Sequence, residues 1–304
     1  VLQVLRLLIC LLQFKMMAVE QIRDSRLPLR AEAVAPITAP FLTMGEYTIM
    51  PMSFCSEAQV AKLFAKVCQR GNPVLQGRPM ADLIVLGQAM YRKSNLLKTG
   101  NVAMYQGEPV ALGCGWDMAE GGVWAGSGLE MPASLATHAA CGKAAFDSFL
   151  EKKKNDKTYF AAFYGVLPPH NVKLFGFCGF SNFCIAHKLG FQDSFQYTLI
   201  PTLTKKGLFT EKDNAGSDNI NYPMPFAGVP SDIPEVRAEL MELDGNINIS
   251  LSSLDFIMTP AYTKMAAAIC GMKGPELLSP SDLIATNQLK WIQSQDSGRI
   301  VSRL

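Results

Sequence analysis

The residues best suited to chemistry lie in the stretch 158–191, where an apolar run leads into a sequence with regularly spaced small residues. Lys173 is followed by two spacers and Gly176, and one further spacer separates Gly176 from Cys178 and Gly179. Small residues at the start of a helix let unpaired backbone N–H groups, at the positive end of the helix dipole, approach an anion. The spacing therefore predicts a phosphate or pyrophosphate site. A packed turn without a ligand is the alternative explanation of the same pattern.

Three polar side chains near this stretch are candidates for proton transfer: Asp117, Tyr164 and His170. A carboxylate or an imidazole can remove a proton from a reacting group, and a phenol can supply one. Each side chain also has a purely structural explanation. Asp117 follows a strand and suits a turn cap, Tyr164 lies in an apolar strand and suits the core, and His170 suits a solvated turn.

The composition is that of a globular protein and excludes several classes of function. The chain has 304 residues, 49% of them apolar, and a net charge of +2, which gives no electrostatic basis for nucleic-acid binding. Its eight cysteines form no Cys-x-x-Cys pair and its three histidines are scattered, so no metal site is predicted. Cysteines placed within apolar runs indicate a reducing compartment, and we expect a cytoplasmic location.

The first 44 residues are predicted to be a leader or a loose arm. Val1–Phe14 is apolar but is interrupted by Arg6, and it is shorter than the ~20 residues that span a bilayer. A secretory signal, an organelle transit segment and upstream sequence outside the working protein are the alternatives for this run. If the run is retained, attachment of the protein to a membrane is a further alternative. No segment of the chain is predicted to span a membrane.

Folded structure is predicted to begin with a strand at Gly45–Pro51, followed by two helices. Ser56 and Gln59 form a capping-box pattern at the start of the first helix, and Met80–Leu97 has the apolar spacing of the second. A hairpin follows at Asn101–Trp116. Two glycines within its second strand predict a bulge or a close approach of backbone or of a ligand.

The rest of the chain supplies further helices and strands around the apolar strand that precedes Lys173. Residues 202–231 are rich in Asn, Asp, Gly and Pro and are predicted to form a long loop. The other predicted elements are helix Pro132–Lys154, strand Tyr159–Val166, the helix after Gly179, strand Phe195–Pro201, helix Pro234–Leu243, strand Asn246–Leu251 and helices 260–272 and 281–295. Together they predict an α/β fold with a central mixed, mostly antiparallel sheet and helices on both faces.

From residue 45 to about residue 254, this order of elements resembles the GCN5-related N-acetyltransferase superfamily. It is most similar to the arylalkylamine-type members, in which an extra helix lies between the third and fourth strands. Members carry an apolar–x–Pro pattern and then (Arg/Gln)-x-x-Gly-x-(Gly/Ala). Here Val166-Leu167-Pro168 is followed by Lys173-x-x-Gly176-x-Cys178. Lys173 replaces the usual Arg or Gln, Cys178 stands where Gly or Ala is expected, and the spacing after Pro168 is longer than usual.

The resemblance implies acetyl-CoA, or another acyl-CoA, as co-substrate and no metal. The fourth and fifth strands would separate to receive the pantetheine, and a closed pairing of Phe160–Val166 with Phe195–Pro201 would leave no slot for it. The residues implied to hold the coenzyme are Val166, Leu167, Lys173, Gly176, Cys178 and Gly179. A rival alignment uses Ala139-x-x-Gly142-x-Ala144 as the loop, but no strand directly precedes it.

The familiar general bases of the family are absent from the matching positions. Asn72 stands where some members have Glu, and Phe160 and Ala162 where others have His. The remaining candidates are Asp117 as a substitute base facing the acceptor groove, His170 as a contact to phosphate or substrate, and Tyr164 as the acid that protonates the leaving thiolate.

The predicted function is transfer of an acyl group, most simply acetyl, from coenzyme A to the primary amine of a small molecule. The alternative is a catalytically inactive protein that uses the same groove to bind a ligand or partner. The domain is predicted to span residues 45–258. The helical extension at residues 259–304 would pack on it or form a homodimer interface.

Overall fold

The structure, a computed structural model, describes residues 39–71, 78–120, 127, 129, 157–198, 217–223 and 246–301. Its centre is an eight-stranded sheet with strand order β1-β2-β3-β4-β5-β6-β8-β7. The strands are β1 (Leu42–Met44), β2 (Tyr47–Pro51), β3 (Asn101–Tyr105), β4 (Glu108–Asp117), β5 (Thr158–Val166), β6 (Asp193–Thr198), β7 (Ser217–Pro223) and β8 (Asn246–Ser253). The helices are α1 (Glu57–Gly71), α2 (Met80–Leu97), α3 (Lys173–Lys188), α4 (Leu254–Ile257), α5 (Pro260–Ile269) and α6 (Gly274–Val301). Two short 3₁₀ turns, Met52–Phe54 and Met118–Glu120, complete the description.

The sheet is antiparallel throughout its described strands except where β5 runs parallel to β6. A parallel connection requires a crossover, and α3 supplies it. The last two strands lie in the sheet in the reverse of their sequence order, because β8 lies between β6 and β7. The α/β class and the mixed, mostly antiparallel sheet predicted from the sequence are confirmed.

Helices cover both faces of the sheet, and alternate residues of each strand point to opposite faces. On β3, Val102 packs in the cluster beneath α1 and α2, whereas its neighbour Ala103 packs in the cluster beneath α3, α5 and α6. The two apolar clusters make a three-layered domain with the sheet in the middle. The predicted helices on both faces are therefore confirmed.

The first half of the fold forms as its local sequence predicts. At the start of α1 the Gln59 side chain accepts a hydrogen bond from the Ser56 N–H at 2.9 Å, and the Gln59 N–H donates to the Ser56 hydroxyl at 3.2 Å. The limits of α2 are those predicted, Met80–Leu97. The hairpin turns at Gln106 and Gly107, both with positive φ. Strand β1 was not predicted, and it lies within the segment expected to be an arm.

The C-terminal helices lie directly on α3 and share its apolar cluster. The last helix was predicted at 281–295, but α6 begins at Gly274 and continues through Pro280. Helix α6 is tied to the body of the domain by Asn287, which donates to the Phe41 carbonyl at 2.8 Å. The Gln288 side-chain amide donates a hydrogen bond to the Lys98 carbonyl, also at 2.8 Å. The position of a domain boundary near residue 258 stays a prediction.

Several predictions concern residues outside the described ranges. They are the helices at 132–154 and 234–243, the parts of the predicted loop at 202–216 and 224–231, and the alternative glycine motif around Gly142. Within the predicted loop the structure has strand β7 (Ser217–Pro223), which pairs with β8, so the loop prediction is wrong there. None of the described helices is long and apolar enough to cross a bilayer. The described ranges also bring together no group of three or more His, Cys, Asp or Glu residues suited to a metal ion.

Candidate coenzyme and acceptor site

The two parallel strands are joined at one end only. Their ladder contains three residue pairs, Thr158 with Asp193, Tyr159 with Ser194 and Phe160 with Phe195. Strand β5 then continues to Val166 while β6 continues to Thr198, and no described strand pairs with this edge of β5 beyond Phe160. The separation expected from the sequence resemblance is present, and it leaves an opening between the two strands.

A β-bulge lies where the opening begins. In the ladder with β4, Cys114 pairs with Phe163 and Gly115 with Ala161, so Ala162 is the extra residue of β5. Both Ala162 and Phe163 pack toward α1, whereas Ala161 packs toward α3. A bulge interrupts the ladder and turns one backbone unit out of it, which is why bulges are common beside active sites.

Helix α3 starts earlier than the sequence predicted. Its first residue is Lys173, so Gly176, Cys178 and Gly179 lie inside the helix rather than in a loop before it. Beyond the first turn, backbone N–H groups donate to the carbonyl four residues earlier and are not free to bind an anion. The residues predicted to form a phosphate-binding loop therefore lie in the first two turns of a helix.

The N–H groups of the first turn are also engaged by the chain itself. Asn171 accepts the Lys173 N–H with its side chain at 2.9 Å and the Leu174 N–H with its carbonyl at 3.0 Å. The Phe175 N–H donates to the Val172 carbonyl at 3.0 Å. The exposed side chain of Lys173 stands at this end of α3, where the positive end of the dipole also lies.

The small residues of α3 are explained by close packing. A Cβ at Gly176 would lie 2.8 Å from the Met272 side chain, and one at Gly179 would lie 3.3 Å from the Tyr164 ring. On β4, a Cβ at Gly113 would lie 2.2 Å from the Cys178 carbonyl oxygen. The close approach predicted for the glycines of this strand is confirmed, and its partner is the backbone of α3.

Burial makes the cysteines of the site unreactive. The pKa of Cys178 is raised to about 12 because burial removes water from the thiolate. Burial raises the pKa of Cys184 to about 12 as well. At neutral pH both are thiols, so neither is suited to act as a nucleophile.

Tyr164 lies on the open part of β5, and its side chain points toward α3. Its ring packs edge-on against Phe175 at 6.3 Å and Phe183 at 6.0 Å between centroids. Its hydroxyl is buried and has no hydrogen-bond partner among the described residues. Burial raises the pKa of Tyr164 well above its ordinary value, so the hydroxyl keeps its proton and remains a donor.

Asp117 and His170 are not brought to the opening. Asp117 pairs in register with Tyr159, at the closed end of β5, and its carboxylate accepts the Ala119 N–H at 3.0 Å. His170 lies over strands β2 and β3, where its Nδ1 lies 3.3 Å from the Tyr47 hydroxyl and its ring 5.2 Å from the Tyr105 ring. Asp117 therefore caps a turn, and His170 packs against tyrosine rings.

Sequence reasoning missed a buried polar network behind the closed end. The Tyr159 hydroxyl donates to the Asn182 side-chain oxygen at 2.8 Å, and the Asn182 amide donates to the Cys178 carbonyl at 2.7 Å. Thr99 donates to the Gly115 carbonyl at 2.8 Å. The available signal was an asparagine in the middle of the otherwise apolar α3, since a buried amide needs partners.

The face of the open strand opposite α3 is apolar. The rings of Phe163 and Phe64 lie 4.7 Å apart between centroids. Val67 of α1 packs closely on Gly165, because a Cβ added to Gly165 would lie 2.5 Å from Val67 Cγ1. The opening is thus bounded by a helix N-terminus and a buried phenol on one side and by aromatic side chains on the other. This arrangement suits an elongated molecule with an anionic end and a reactive centre near the bulge.

Comparisons with known proteins give matches in structure and none in sequence. No family profile and no curated protein matches the chain. The C-terminal condensation domain of Ebony in complex with beta-alanyl-dopamine matches with a TM-score of 0.47 and 9% identity, over 69% of this chain and 100% of that one. An apo-form mutant of agmatine N-acetyltransferase matches with a TM-score of 0.41 and 14% identity, over 68% and 99%.

A polyamine N-acetyltransferase of Drosophila melanogaster, which forms N-acetylagmatine, matches with a TM-score of 0.39 and 12% identity, over 68% of this chain and 98% of that one. At these identities the matches transfer neither a substrate nor a residue role to this chain. The fold is described by the chain's own topology: a mixed sheet with helices on both faces, in which one parallel pair of strands stops pairing after three residues. Separation of two parallel strands is what the resemblance to the GCN5-related N-acetyltransferases implied.

Proposed function

We propose that this protein is an acyl-CoA-dependent N-acyltransferase that acts on the primary amine of a small molecule. The observation that supports the proposal is the end of the β5–β6 ladder after Phe160 and Phe195, with the bulge at Ala162 directly beyond it. Beyond this point the backbone of residues 161–166 pairs with no described strand along one edge. Pantetheine is a narrow chain with two amides, and it can hydrogen-bond to such an edge as an added strand does.

The coenzyme would enter from the end of β5 where α3 begins. Val166 and Leu167 would contact the pantetheine, and Lys173 together with the α3 dipole would attract the phosphates. Because the first-turn N–H groups are held by Asn171 and Val172, backbone donation to the phosphates would require those contacts to open. Gly176, Cys178 and Gly179 would then act as packing residues that place the helix.

The reaction would be a direct transfer. The amine nitrogen attacks the thioester carbonyl, a C–N bond forms, and the C–S bond breaks. The nitrogen releases one proton to water, the departing sulfur takes up one proton, and the proton donor is then reprotonated from water. Tyr164, held protonated on the open part of β5, is the proposed donor of the proton that the sulfur takes up. The amine would approach from the apolar side of the strand, beneath α1. Neither Asp117 nor His170 faces the opening, so we propose that the amine reacts as its free base.

Two measurements test the proposal. Calorimetric titration with acetyl-CoA should show saturable binding, and free thiol should be released when acetyl-CoA is mixed with a panel of small amines. No binding at millimolar coenzyme would contradict the proposal altogether. The proposed cytoplasmic location and a homodimer formed through the outer face of α6 are separate predictions.

A second candidate function is a binding module without turnover. The engaged first turn of α3 and the positions of Asp117 and His170 favour it. Binding of acetyl-CoA without thiol release from any amine in the panel would support this candidate over the enzyme.

A further inference from the structure

The corner between α5 and α6 lies against the start of α3. A Cβ at Gly176, one turn into α3, would lie 2.8 Å from Met272 Cε, 2.9 Å from Cys270 Sγ and 3.2 Å from Leu277 Cδ1. All three side chains are buried. The C-terminal segment therefore contacts α3 close to the end at which the proposed coenzyme phosphates would bind.

The corner has a defined backbone conformation. Helix α5 ends in a Schellman-like cap, in which the Met272 N–H donates to the Ala267 carbonyl at 2.9 Å and Gly271 has φ +64°. At the start of α6 the Lys273 N–H donates to the Glu276 carboxylate at 3.0 Å. Caps on both sides of so short a corner fix the direction in which Cys270 and Met272 point.

The opposite side of α3 is held just as closely by the sheet. The Cys178 carbonyl lies against Gly113, and the Tyr164 ring lies against Gly179. The first two turns of α3 are therefore packed between β4–β5 and the α5–α6 corner. At the far end, Lys188 pairs with Asp282 at 2.9 Å, but that pair is partly exposed and contributes little.

We infer that the α5–α6 corner positions the coenzyme-binding end of α3, so that residues 270–277 act on coenzyme affinity without touching the coenzyme. This inference rests on the proposed function. It assigns a role to the C-terminal helices, which lie outside the region of family resemblance. Its physical basis is that a small displacement of a helix end changes the alignment of its dipole and of Lys173 with a bound anion.

The test uses two glycines with nearly the same backbone conformation. Gly271 has φ +64° and Gly45 has φ +58°, and a Cβ at either would meet no atom within 4 Å. Gly271→Ala and Gly45→Ala therefore strain the backbone equally without removing any contact. Gly45 lies in the β1–β2 turn, outside the α5–α6 corner, and serves as the control.

We expect similar falls in Tm for the two variants but different coenzyme binding. By calorimetry, Gly271→Ala should weaken acetyl-CoA binding about tenfold, while Gly45→Ala should change it less than about twofold. In turnover, Gly271→Ala should raise KM for acetyl-CoA and leave KM for the amine unchanged. Equal effects of the two variants on acetyl-CoA affinity, or none from either, would overturn the inference.

Amide hydrogen exchange, measured without coenzyme, provides an independent test of the positioning role. Exchange at residues 173–177 should be faster in Gly271→Ala than in Gly45→Ala and the wild type, because the corner no longer holds the helix start. If the wild type does not bind acetyl-CoA, the proposed function fails. The exchange result then still decides whether the corner positions α3. Unchanged exchange in Gly271→Ala would overturn the positioning role itself.

Discussion

The two ends of β5 differ in their strand pairing and in the partners of their tyrosine hydroxyls, although they belong to one strand. At the closed end, residues 158–160 pair on both sides, with β4 and with β6. The Tyr159 hydroxyl there has two partners, Asn182 at 2.8 Å and Thr99 at 3.3 Å. At the open end, β5 pairs with β4 alone, and the Tyr164 hydroxyl has no described partner.

This difference separates structure from function within a single strand. A buried polar group without a partner costs free energy, so a fold selected only for stability would satisfy or remove it. At the closed end the Tyr159 hydroxyl is satisfied internally, but the buried Thr158 and Ser194 hydroxyls have no partner among the described residues. The property specific to the open end is therefore the strand edge of β5 that pairs with no described strand, which is the expected property of a binding site.

The largest expected effect comes from adding a methyl group at the closed end. A Cβ at Gly115 would lie 2.4 Å from the Phe160 carbonyl oxygen, whereas one at Gly165 would meet the Val67 side chain at 2.5 Å. Backbone cannot yield as a side chain can, so Gly115→Ala should cost about 3–4 kcal/mol of unfolding free energy and Gly165→Ala about 1–2. Urea denaturation measures both. A larger cost at Gly165 would contradict the comparison.

Alkaline pH should weaken the fold through its buried thiols. Burial raises the pKa of Cys178 from its ordinary value of 9.0 to about 12, and burial, aided by Glu108, raises that of Cys55 to about 11. Because the unfolded thiols ionise first, this stability is fully present below pH 9 and is lost as pH rises toward 11–12.

Urea denaturation at intervals between pH 7 and pH 11 should show a flat region and then a fall. In Cys178→Ala the fall should be shallower, since one raised pKa has been removed. Stability that rises above pH 9 would show that these thiols are not buried as the structure has them.

The two tyrosines of β5 allow the closed and open ends to be compared by one substitution. Tyr159→Phe leaves Asn182 without its donor and should lower the unfolding free energy by about 1–3 kcal/mol. Tyr164→Phe removes an unpartnered hydroxyl, so stability should be unchanged or higher. Turnover should nevertheless fall about 100-fold in Tyr164→Phe if its hydroxyl supplies the proton. Equal destabilisation by the two substitutions would erase the distinction between the ends.

The smallest expected effect is electrostatic. Lys173→Ala should weaken acetyl-CoA binding about fivefold at low salt, with the difference shrinking at high salt because the charge is exposed. Lys157, an exposed lysine just before the closed end, is the matched control, and Lys157→Ala should leave the affinity unchanged. Equal losses from the two lysines would indicate a general charge effect instead of a local site.

Local sequence predicted the elements well where their stabilising contacts are local. The capping box at Ser56, the limits Met80–Leu97 and the glycine turn of the hairpin all depend on residues a few positions apart. Strand β1 was missed because its three residues carry too short a pattern to recognise. The last helix starts seven residues before the predicted start at 281, because a helix packed on α3 tolerates Pro280, which an isolated helix would not.

The site was harder to predict because its contacts are distant in the chain. In sequence, glycines that bind a phosphate and glycines that admit a neighbouring helix are the same. Gly176 was assigned to a phosphate loop, yet the side chain that requires it to be small belongs to Met272. The position where β5 and β6 separate depends on pairing between strands joined by a crossover helix, which no local pattern reports.

Amide hydrogen exchange along β5, with and without acetyl-CoA, tests the central claim most directly. We predict that saturating acetyl-CoA slows exchange at the amides of residues 161–166 that face the opening. The amides of residues 158–160 and 193–195, already within the ladder, should exchange slowly in both states. Protection confined to another part of the chain, or no protection of residues 161–166 by bound coenzyme, would contradict the claim that the opening is the coenzyme site.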